Sequence, residues 1–296
     1  MNQDNTCLPG QPAREITEDE IRAFHRDGAV VLRGVLQPQW VDMIGQIIEE
    51  AAAAGEQLPF RAGWSDPGRK AALGCGFLYN FLPTARRYIH QSPAATISAA
   101  LLRAERLYYF EDQLLLREAG PVSHTMWHQD LPYWKTAGDQ LIRLWTPIDP
   151  VPAEVSLHTI RGSHLWNTTF RPFNVNENQE VPETANNSLS CQRDESQPLM
   201  PDFWKHADSF DIQSNPCGPG DVLALHAALA IHGVPGSDTP YGQRRVYSTV
   251  YAGERMVFHE RPTTNLVPNE YLGEPLGEGE PLGNAKKSYP LVWARG

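Results

Sequence analysis

The sequence predicts a mainly β domain, a sandwich or barrel, with helices flanking it on the N-terminal side. From about Leu107 onward, short runs rich in β-branched and aromatic residues recur, among them LYYFE, QLLLR, LIRLWTPI, EVSLHTI, DVLALH and RRVYSTVY. Glycine, proline and asparagine separate these runs, as is typical of an all-β sandwich or barrel. Before Leu107 the apolar residues mostly repeat at helical intervals instead.

The first helix is marked by its two ends. Thr17 and Glu20 have the spacing of a capping box, in which each side chain accepts a hydrogen bond from the backbone N–H of the other residue. Phe24 belongs to the apolar face that follows. Gly28 ends the helix, and the apolar residues 29–32 then predict a strand.

Further helices are expected before the β-rich part of the chain. Pro38 opens a helix in which Val41, Ile44, Ile48 and Ala51 fall on one face. The following stretch of glycine, proline and charged residues, 55–75, is predicted as a loop. Residues 83–103 are predicted as helical.

The sequence predicts one domain with an insertion. We expect the following parts: a disordered leader 1–15, then a single domain 16–296 made of a helical part 16–105, a β core 106–252 with an insertion 165–209, and a tail 253–296. A long interval without periodicity inside a domain is usually functional, so the insertion is predicted to be a lid over the active site. Its apolar residues, Phe170, Phe173, Phe203 and Trp204, are expected to close over a hydrophobic substrate.

Composition excludes several classes of protein. Apolar residues make up 41% and charged residues 20% of the chain, and the net charge of -10 disfavours nucleic acid as a partner. No apolar run is long enough to span a membrane, and no secretory signal is evident, so a cytoplasmic location is expected. The four cysteines are scattered and form no C-x-x-C pair, which favours free thiols. The expected partner is a small-molecule substrate, and a homodimer is left open.

Three features of the sequence together predict a metal site. His128 and Asp130 are two apart in TMWHQDLPYW, so on a strand they point to the same side. His232 follows in AIHG, and Arg244 opens RRVYSTVY twelve residues later. Two histidines and one carboxylate on one side of Fe(II) leave other positions open, as in non-haem iron oxygenases. Those positions suit a 2-oxo acid and O₂, and the far carboxylate of 2-oxoglutarate calls for an arginine fork.

The chain resembles the phytanoyl-CoA dioxygenase family of Fe(II), 2-oxoglutarate-dependent oxygenases. The resemblance rests on WHQDLPYW, LWTPIDPV leading to RGSH, and PGDVLALHAALAIHG followed by RRVYSTVY. It implies a double-stranded β-helix, or cupin-like jelly roll, with helices packed on one side. It also implies that His128, Asp130 and His232 bind iron and that Arg244 binds 2-oxoglutarate.

Two departures from the family pattern affect the expected site. The turn before GSH reads AEVSLHTIR, where the family commonly has an asparagine-glycine pair. The arginine lies one position later than the family spacing, which leaves Arg245 as the alternative clamp. Arg244 is favoured because it shares strand parity with Ser248, which is predicted to join it at the 2-oxoglutarate. Gln113 is expected to reach the 2-oxoglutarate or a metal-bound water, or else to be an exposed polar residue of its strand.

The expected function is oxidation, by default hydroxylation, of a small and hydrophobic metabolite, while 2-oxoglutarate is converted to succinate and CO₂. The predicted substrate pocket comprises His124, Tyr133, Trp134, Trp145 and His226, although aromatic residues on strands are often core and His226 is equally readable as structural. The alternatives are an acyl-CoA-type hydroxylase and a non-catalytic jelly-roll binding protein. A halogenase is disfavoured because Asp130 is present, and such enzymes replace that carboxylate with a small residue.

Overall fold

The computed structural model describes residues 10–58, 61–64, 72–172, 196–261 and 272–296, which form four antiparallel β-sheets, of eight, four, two and two strands, with helices on one side of the largest. The helices are α1 (Glu18–Asp27), α2 (Pro38–Ala54), α3 (Pro83–Gln91) and α4 (Ala94–Leu102). The strands are β1 (Ala29–Leu32), β2 (Arg61–Trp64), β3 (Ala72–Gly76), β4 (Arg106–Arg117), β5 (Gly120–Val122), β6 (Thr125–His128), β7 (Thr136–Ala137), β8 (Leu141–Pro147), β9 (His158–Ile160), β10 (Ile212–Ser214), β11 (Val222–His226), β12 (His232–Val234), β13 (Ser237–Tyr241), β14 (Arg244–Gly253), β15 (Val257–Phe258) and β16 (Leu291–Ala294).

Helix α1 begins and ends as predicted. The Thr17 hydroxyl accepts from the Glu20 backbone N–H at 3.2 Å, and the Glu20 carboxylate accepts from the Thr17 N–H at 2.9 Å. Gly28 ends the helix in the left-handed region, with φ at 81°. A Cβ at this position would lie 2.5 Å from the Nδ1 atom of His164, so both the backbone angle and the packing require glycine here.

The predicted helix 83–103 is divided into α3 and α4. Ser92 between them is extended, with φ at -72° and ψ at 165°. The cause is Pro93, because the ring of a proline disfavours the helical conformation in the residue before it. The same stretch therefore gives two short helices that pack against each other and against the major sheet.

Two other expectations for the N-terminal part were wrong. Residues 10–15 are not a disordered leader: the Gly10 N–H donates to the Gln91 carbonyl at 2.8 Å, and Arg14 forms a bidentate ion pair with Glu20. Residues 1–9 lie outside the described residues. The predicted loop 55–75 includes β2 and all but the last residue of β3. Strand β3 pairs with β4, which satisfies backbone groups that would otherwise form an open sheet edge.

The major sheet has eight strands, in the order β1-β11-β8-β14-β4-β3-β2, with β16 also paired to β4. Strands from both ends of the chain thus join those of the central region, and the sheet extends beyond residues 106–252. The minor sheet has the order β10-β9-β12-β6. The two sheets together form the double-stranded β-helix, or jelly roll.

The two faces of the major sheet have different partners. One face packs on the helices through a single large core that includes Phe24, Ile44, Tyr88, Ile142 and Tyr247. The other face turns toward the minor sheet. Among the described residues, no helix is both long and apolar enough to cross a lipid bilayer.

A β-bulge in β4 changes which residues face the minor sheet. Val250 of β14 pairs with Glu111, while the next residue, Tyr251, pairs with Tyr109, so Phe110 is the extra residue. Phe110 and Glu111 are neighbours in sequence, yet both contact Trp134, by a ring contact at 5.1 Å and a hydrogen bond of 2.9 Å. A regular strand would send them to opposite faces, so the bulge allows one tryptophan to receive both.

Asp112 forms a buried polar cluster on the helix-facing side of the major sheet. Its carboxylate accepts hydrogen bonds from the hydroxyls of Tyr109, at 3.0 Å, and Tyr247, and from the Tyr79 backbone N–H at 3.0 Å. Burial raises the pKa of Asp112 to about 6, although these donors act to lower it. The cluster ties the turn that precedes α3 to two central strands.

Removing the Tyr247 hydroxyl should therefore destabilise the protein. We expect Tyr247→Phe to lower the free energy of unfolding by about 1–3 kcal/mol, the cost of an unmet buried hydrogen bond. Because the pKa of Asp112 lies above the ordinary value, its ionisation removes stability as the pH rises through about 6. The hydrogen bond from Tyr247 favours the ionised form of Asp112. The loss of stability caused by Tyr247→Phe should therefore be larger well above that pH than well below it.

Urea unfolding at several pH values measures this difference. Tyr241→Phe, at a half-buried tyrosine near the surface, is the matched control. Equal losses of stability in the two variants would contradict a special role for the Asp112 cluster.

Candidate active site

The site is built on the pairing of β6 with β12. His128, the last residue of β6, lies directly opposite His232, the first residue of β12. Their side chains therefore share one face of the minor sheet, the face that looks toward the major sheet, and their ring centroids are 4.2 Å apart. Both residues are largely buried, with side-chain exposures of 13% and 6%.

Asp130 completes the group, although not by strand parity as the sequence analysis expected. Strand β6 ends at His128, and Asp130 adopts a helical conformation, with φ at -80° and ψ at -35°, before a 3-10 turn at residues 131–133. Its Oδ1 atom lies 3.9 Å from Nε2 of His128 and 3.8 Å from Nε2 of His232. Ligand atoms of the three residues all lie within 4.8 Å of one another.

Hydrogen bonds behind the two imidazoles fix their orientation. Nδ1 of His128 lies 2.8 Å from the Met126 carbonyl, and Nδ1 of His232 lies 2.9 Å from the Ala230 carbonyl. Since a carbonyl only accepts, each Nδ1 carries the proton and each Nε2 keeps a free lone pair that faces Asp130. Burial, followed by the neighbouring His232, lowers the pKa of His128 to about 4, which favours the neutral, metal-binding form.

Asp130 is held as a carboxylate by its surroundings. Burial alone would raise its pKa, but the adjacent Arg143 guanidinium and the two histidines bring the pKa below the ordinary value. Two imidazoles and one carboxylate form a donor set that suits Fe(II), so the residues present fit a metal of this kind.

Sequence reasoning missed Arg143 and Glu111. Arg143 lies in the middle of β8 and donates from Nε to Oδ2 of Asp130 at 2.9 Å. Glu111 lies 3.9 Å from Arg143, and burial raises the pKa of its carboxyl to about 7. A detectable signal existed, because a charged residue inside an apolar strand such as LIRLWTPI is seldom buried unless it is paired.

The two candidate arginines at the start of β14 differ in their partners. Arg245 is engaged by Asp149, with Nε donating to Oδ2 at 3.0 Å and Nη2 to Oδ1 at 2.8 Å. The Nε and Nη1 atoms of Arg244 are buried and have no hydrogen-bond partner within the part of the chain that the structure describes. Burial, followed by the nearby Arg117, lowers the pKa of Arg244 to about 10. An uncompensated buried guanidinium of this kind fits a carboxylate ligand.

Gln113 and Ser248 lie on the same interior face of the major sheet, where they are cross-strand partners. Both contact Arg143: its Nη1 atom donates to Oγ of Ser248 at 2.7 Å and lies 3.4 Å from Oε1 of Gln113. His128, Asp130 and His232 are called the metal-ligand group below, since they are the candidate ligands. Gln113 and Ser248 thus lie between this group and the start of β14, where Arg244 is located.

The predicted pocket residues do not lie together in the structure. The ring of Tyr133 lies 6.5 Å from that of His128. Trp134 and Trp145 are buried core residues, and their rings lie under the guanidinium groups of Arg143 and Arg244, at 5.5 and 5.8 Å. These two tryptophans therefore support charged groups of the site.

Neither of the other two predicted pocket histidines joins the metal-ligand group. His124 is exposed, and its Nε2 atom lies 3.2 Å from the Met126 sulfur. The ring of His226 lies 6.3 Å from Phe24 and 5.1 Å from His164. It shares the parity of Ala224, which packs on the helix-facing core, so strand geometry directs it away from the minor sheet.

The described apolar residues of the insertion pack behind the minor sheet. Phe170, Phe203 and Trp204 surround Trp127, whose side chain points to the face opposite His128. They cover this large ring instead of closing over the metal-ligand group. Phe173 lies outside the described residues, which omit 173–195.

Gln129, the middle residue of the H-x-D motif, joins two separate segments to it. Its side-chain amide donates to the carbonyls of Thr168, at 2.9 Å, and Leu229, at 3.1 Å. Its Oε1 atom accepts from the Phe170 N–H at 2.9 Å. One buried side chain thus fastens both the start of the insertion and the loop that precedes His232.

Comparison with known proteins gives a consistent result. Residues 24–245 match the family described as Phytanoyl-CoA dioxygenase (PhyH). No curated protein sequence shows a significant match to the chain.

Solved structures resemble the whole fold. The carbocyclase SnoK from nogalamycin biosynthesis, described as non-heme and alpha ketoglutarate dependent, has a TM-score of 0.68 and 20% identity over 96% of this chain and 99% of its own. The epimerase SnoN, in complex with Fe3+, alpha ketoglutarate and nogalamycin RO, has a TM-score of 0.65 and 19% identity over 93% and 98%. EctD from S. alaskensis, with 2-oxoglutarate and 5-hydroxyectoine, has a TM-score of 0.60 and 17% identity over 95% and 90%.

At these identities the structures establish the fold. The family match covers most of the chain, so the protein belongs to the phytanoyl-CoA dioxygenase family and is a non-haem iron dioxygenase that uses 2-oxoglutarate and O₂.

Proposed function

We propose that this dioxygenase hydroxylates a C–H bond of a small, largely hydrophobic metabolite, with conversion of 2-oxoglutarate to succinate and CO₂. The observation that carries the proposal is the arrangement of the interior between the two sheets. It holds a compact His-Asp-His group together with Arg244, whose buried Nε and Nη1 atoms have no partner among the described residues.

Each of these residues has a proposed role. His128, Asp130 and His232 hold Fe(II), and Arg244 binds the distal carboxylate of 2-oxoglutarate through a charge-assisted hydrogen bond. Bound iron, 2-oxoglutarate and O₂ supply the oxidising power that the reaction on an unactivated C–H bond needs. The protein's own contribution is to position the substrate, because the hydrogen nearest the metal decides the product.

The surroundings of the site support an apolar substrate. Apolar clusters lie on the interior face of the major sheet on both sides of Arg143, one including Leu141, Val250 and Met256 and the other Trp145 and Leu223. Such surroundings exclude water, which protects the reaction from unproductive quenching. We place the substrate beside Tyr133, the ring nearest to His128 among the predicted pocket residues.

Two of the similar solved structures support a substrate from secondary metabolism. SnoN and SnoK, from nogalamycin biosynthesis, are an epimerase and a carbocyclase, so closely similar folds perform outcomes other than hydroxylation. We propose an intermediate of secondary metabolism for this chain. The alternative substrate, an acyl-CoA thioester, is favoured by the family description and disfavoured by the net charge of -10.

Removing a proposed iron ligand should abolish turnover. His128→Ala, Asp130→Ala or His232→Ala should weaken iron binding by more than the roughly 10–100-fold that losing a hydrogen-bond partner of a metal ligand costs. Iron stoichiometry and succinate formation measure the effect. His158→Gln is the matched control, since His158 lies on the same minor sheet and its ring packs against Trp204. Full activity in Asp130→Ala would refute the assignment.

Removing the proposed clamp should raise the requirement for 2-oxoglutarate. A charge-assisted contact in a buried site is worth about 2–5 kcal/mol, so Arg244→Ala should raise the half-saturating 2-oxoglutarate concentration well over tenfold. Arg245→Ala is the control, because its side chain is paired with Asp149. If only Arg245→Ala changes the 2-oxoglutarate requirement, Arg245 is the clamp and the assignment of Arg244 is wrong.

A turnover screen tests the substrate class directly. Protein loaded anaerobically with Fe(II) is offered 2-oxoglutarate, O₂ and panels of polycyclic intermediates, small polar metabolites and acyl-CoA thioesters. We expect substrate-dependent succinate formation with an apolar panel, and a product one oxygen atom heavier than its substrate. Turnover confined to the acyl-CoA panel would replace the proposed substrate class.

A further inference from the structure

We propose that Arg143 is a positioning residue that orients the carboxylate of Asp130 so that only one of its oxygens is presented to the metal. This inference rests on the proposed function, in which Asp130 is an iron ligand. Arg143 has 6% exposure in a strand whose seven residues are all buried, so it is a guanidinium fixed within the interior.

The two oxygens of Asp130 are used for different purposes. Oδ1 faces both imidazoles, at 3.9 Å from Nε2 of His128 and 3.8 Å from Nε2 of His232. Oδ2 accepts the hydrogen bond from Nε of Arg143 at 2.9 Å. A carboxylate that shares one oxygen with a guanidinium has that oxygen withheld from the metal, and its rotation is restricted.

Asp130 needs such restraint because the sheet does not provide it. The residue lies beyond the end of β6, at the start of a 3-10 turn. The Leu131 N–H, one residue further, donates to the Ala228 carbonyl at 3.1 Å and fixes the backbone of the turn. Nothing in that backbone bond sets the rotation of the carboxylate, whereas the contact with Arg143 does.

Arg143 is itself held from several sides. Its Nη1 atom donates to Oγ of Ser248 at 2.7 Å, and its guanidinium lies over the ring of Trp134 at 5.5 Å. Trp134 donates to Glu111 at 2.9 Å, and Glu111 lies 3.9 Å from Nη2 of Arg143. A guanidinium supported by a hydroxyl, a ring and a second carboxylate has one orientation, and it transmits that orientation to Asp130.

A simpler role for Arg143 is to neutralise a buried carboxylate. That role needs only a positive charge, whereas orientation needs the planar guanidinium that donates to Asp130 and Ser248 at once. The two roles therefore predict different results for a lysine, which keeps the charge and loses the planar geometry.

The experiment measures metal binding and metal spectroscopy in Arg143→Gln and Arg143→Lys. Co(II) is the probe, since its visible absorption reports the ligand arrangement without any turnover. We expect Arg143→Gln to weaken Co(II) binding about 10–100-fold, as expected for the loss of a partner of a metal ligand, and to change the absorption spectrum. Arg143→Lys should recover part of the affinity but not the wild-type spectrum. Arg245→Gln, which breaks a comparable ion pair with Asp149, should change neither.

Each outcome decides the matter. Wild-type affinity and spectrum in Arg143→Gln, or a wild-type spectrum in Arg143→Lys, would overturn the orienting role. If Arg143→Gln fails to fold, the spectrum of Arg143→Lys still decides, because that variant keeps the buried charge. Failure of the proposed function looks different: the wild-type protein itself would then bind no Co(II) or Fe(II) in stoichiometric amount.

Discussion

The site depends on one pairing, that of β6 with β12. His128 and His232 are cross-strand partners, so their side chains emerge side by side from the same face of the minor sheet. A shift of either strand by one residue would send that strand's histidine to the opposite face, where Trp127 is packed. The aromatic cluster around Trp127 therefore fixes the register by burying large rings on the face that carries no chemistry. The packing that stabilises the outer face of the minor sheet therefore also holds His128 and His232 in position on its inner face.

The charges buried between the sheets fall into two kinds. Arg143 and Asp130 satisfy each other within the fold, with Ser248 and Glu111 around them. Arg244 has no such partner among the described residues, so no opposite charge there offsets its desolvation cost. If Arg244 binds 2-oxoglutarate as we propose, ligand binding adds to the stability of the protein.

Much of the fold was predictable because it depends on local signals. The capping box of Thr17 and Glu20 and the apolar strands were correctly predicted, and the order His-x-Asp, His pointed to three residues that the structure brings together. Features that depend on tertiary contacts were not predictable. Strand β3 forms because β4 offers an unpaired edge, and no periodicity in the Gly-rich sequence indicates it. Asp130 reaches the histidines through a turn, so strand parity gave a correct neighbour for an incorrect reason.

Arg143 and Glu111 illustrate a further limit. A charge within an apolar strand signals a buried interaction, but its partner lies on a different strand, and the bulge at Phe110 adjusts the facing of β4 in a way that sequence parity does not reveal. His226 shows the converse. It lies six residues from His232, yet its strand directs it to the helices, where it packs near Phe24.

The three hydrogen bonds of Gln129 have a consequence for how this enzyme can diverge in evolution. Two of them hold Thr168 and Phe170, near the start of the insertion, to the turn that carries His128 and Asp130. Chain added, lost or replaced beyond Phe170 leaves those bonds in place. A change of length or sequence between Phe170 and Phe203 therefore leaves both the bonds of Gln129 and the packing of Phe203 and Trp204 on Trp127 in place. Such enzymes can therefore diverge in this part of the chain at little risk to the positions of His128 and Asp130.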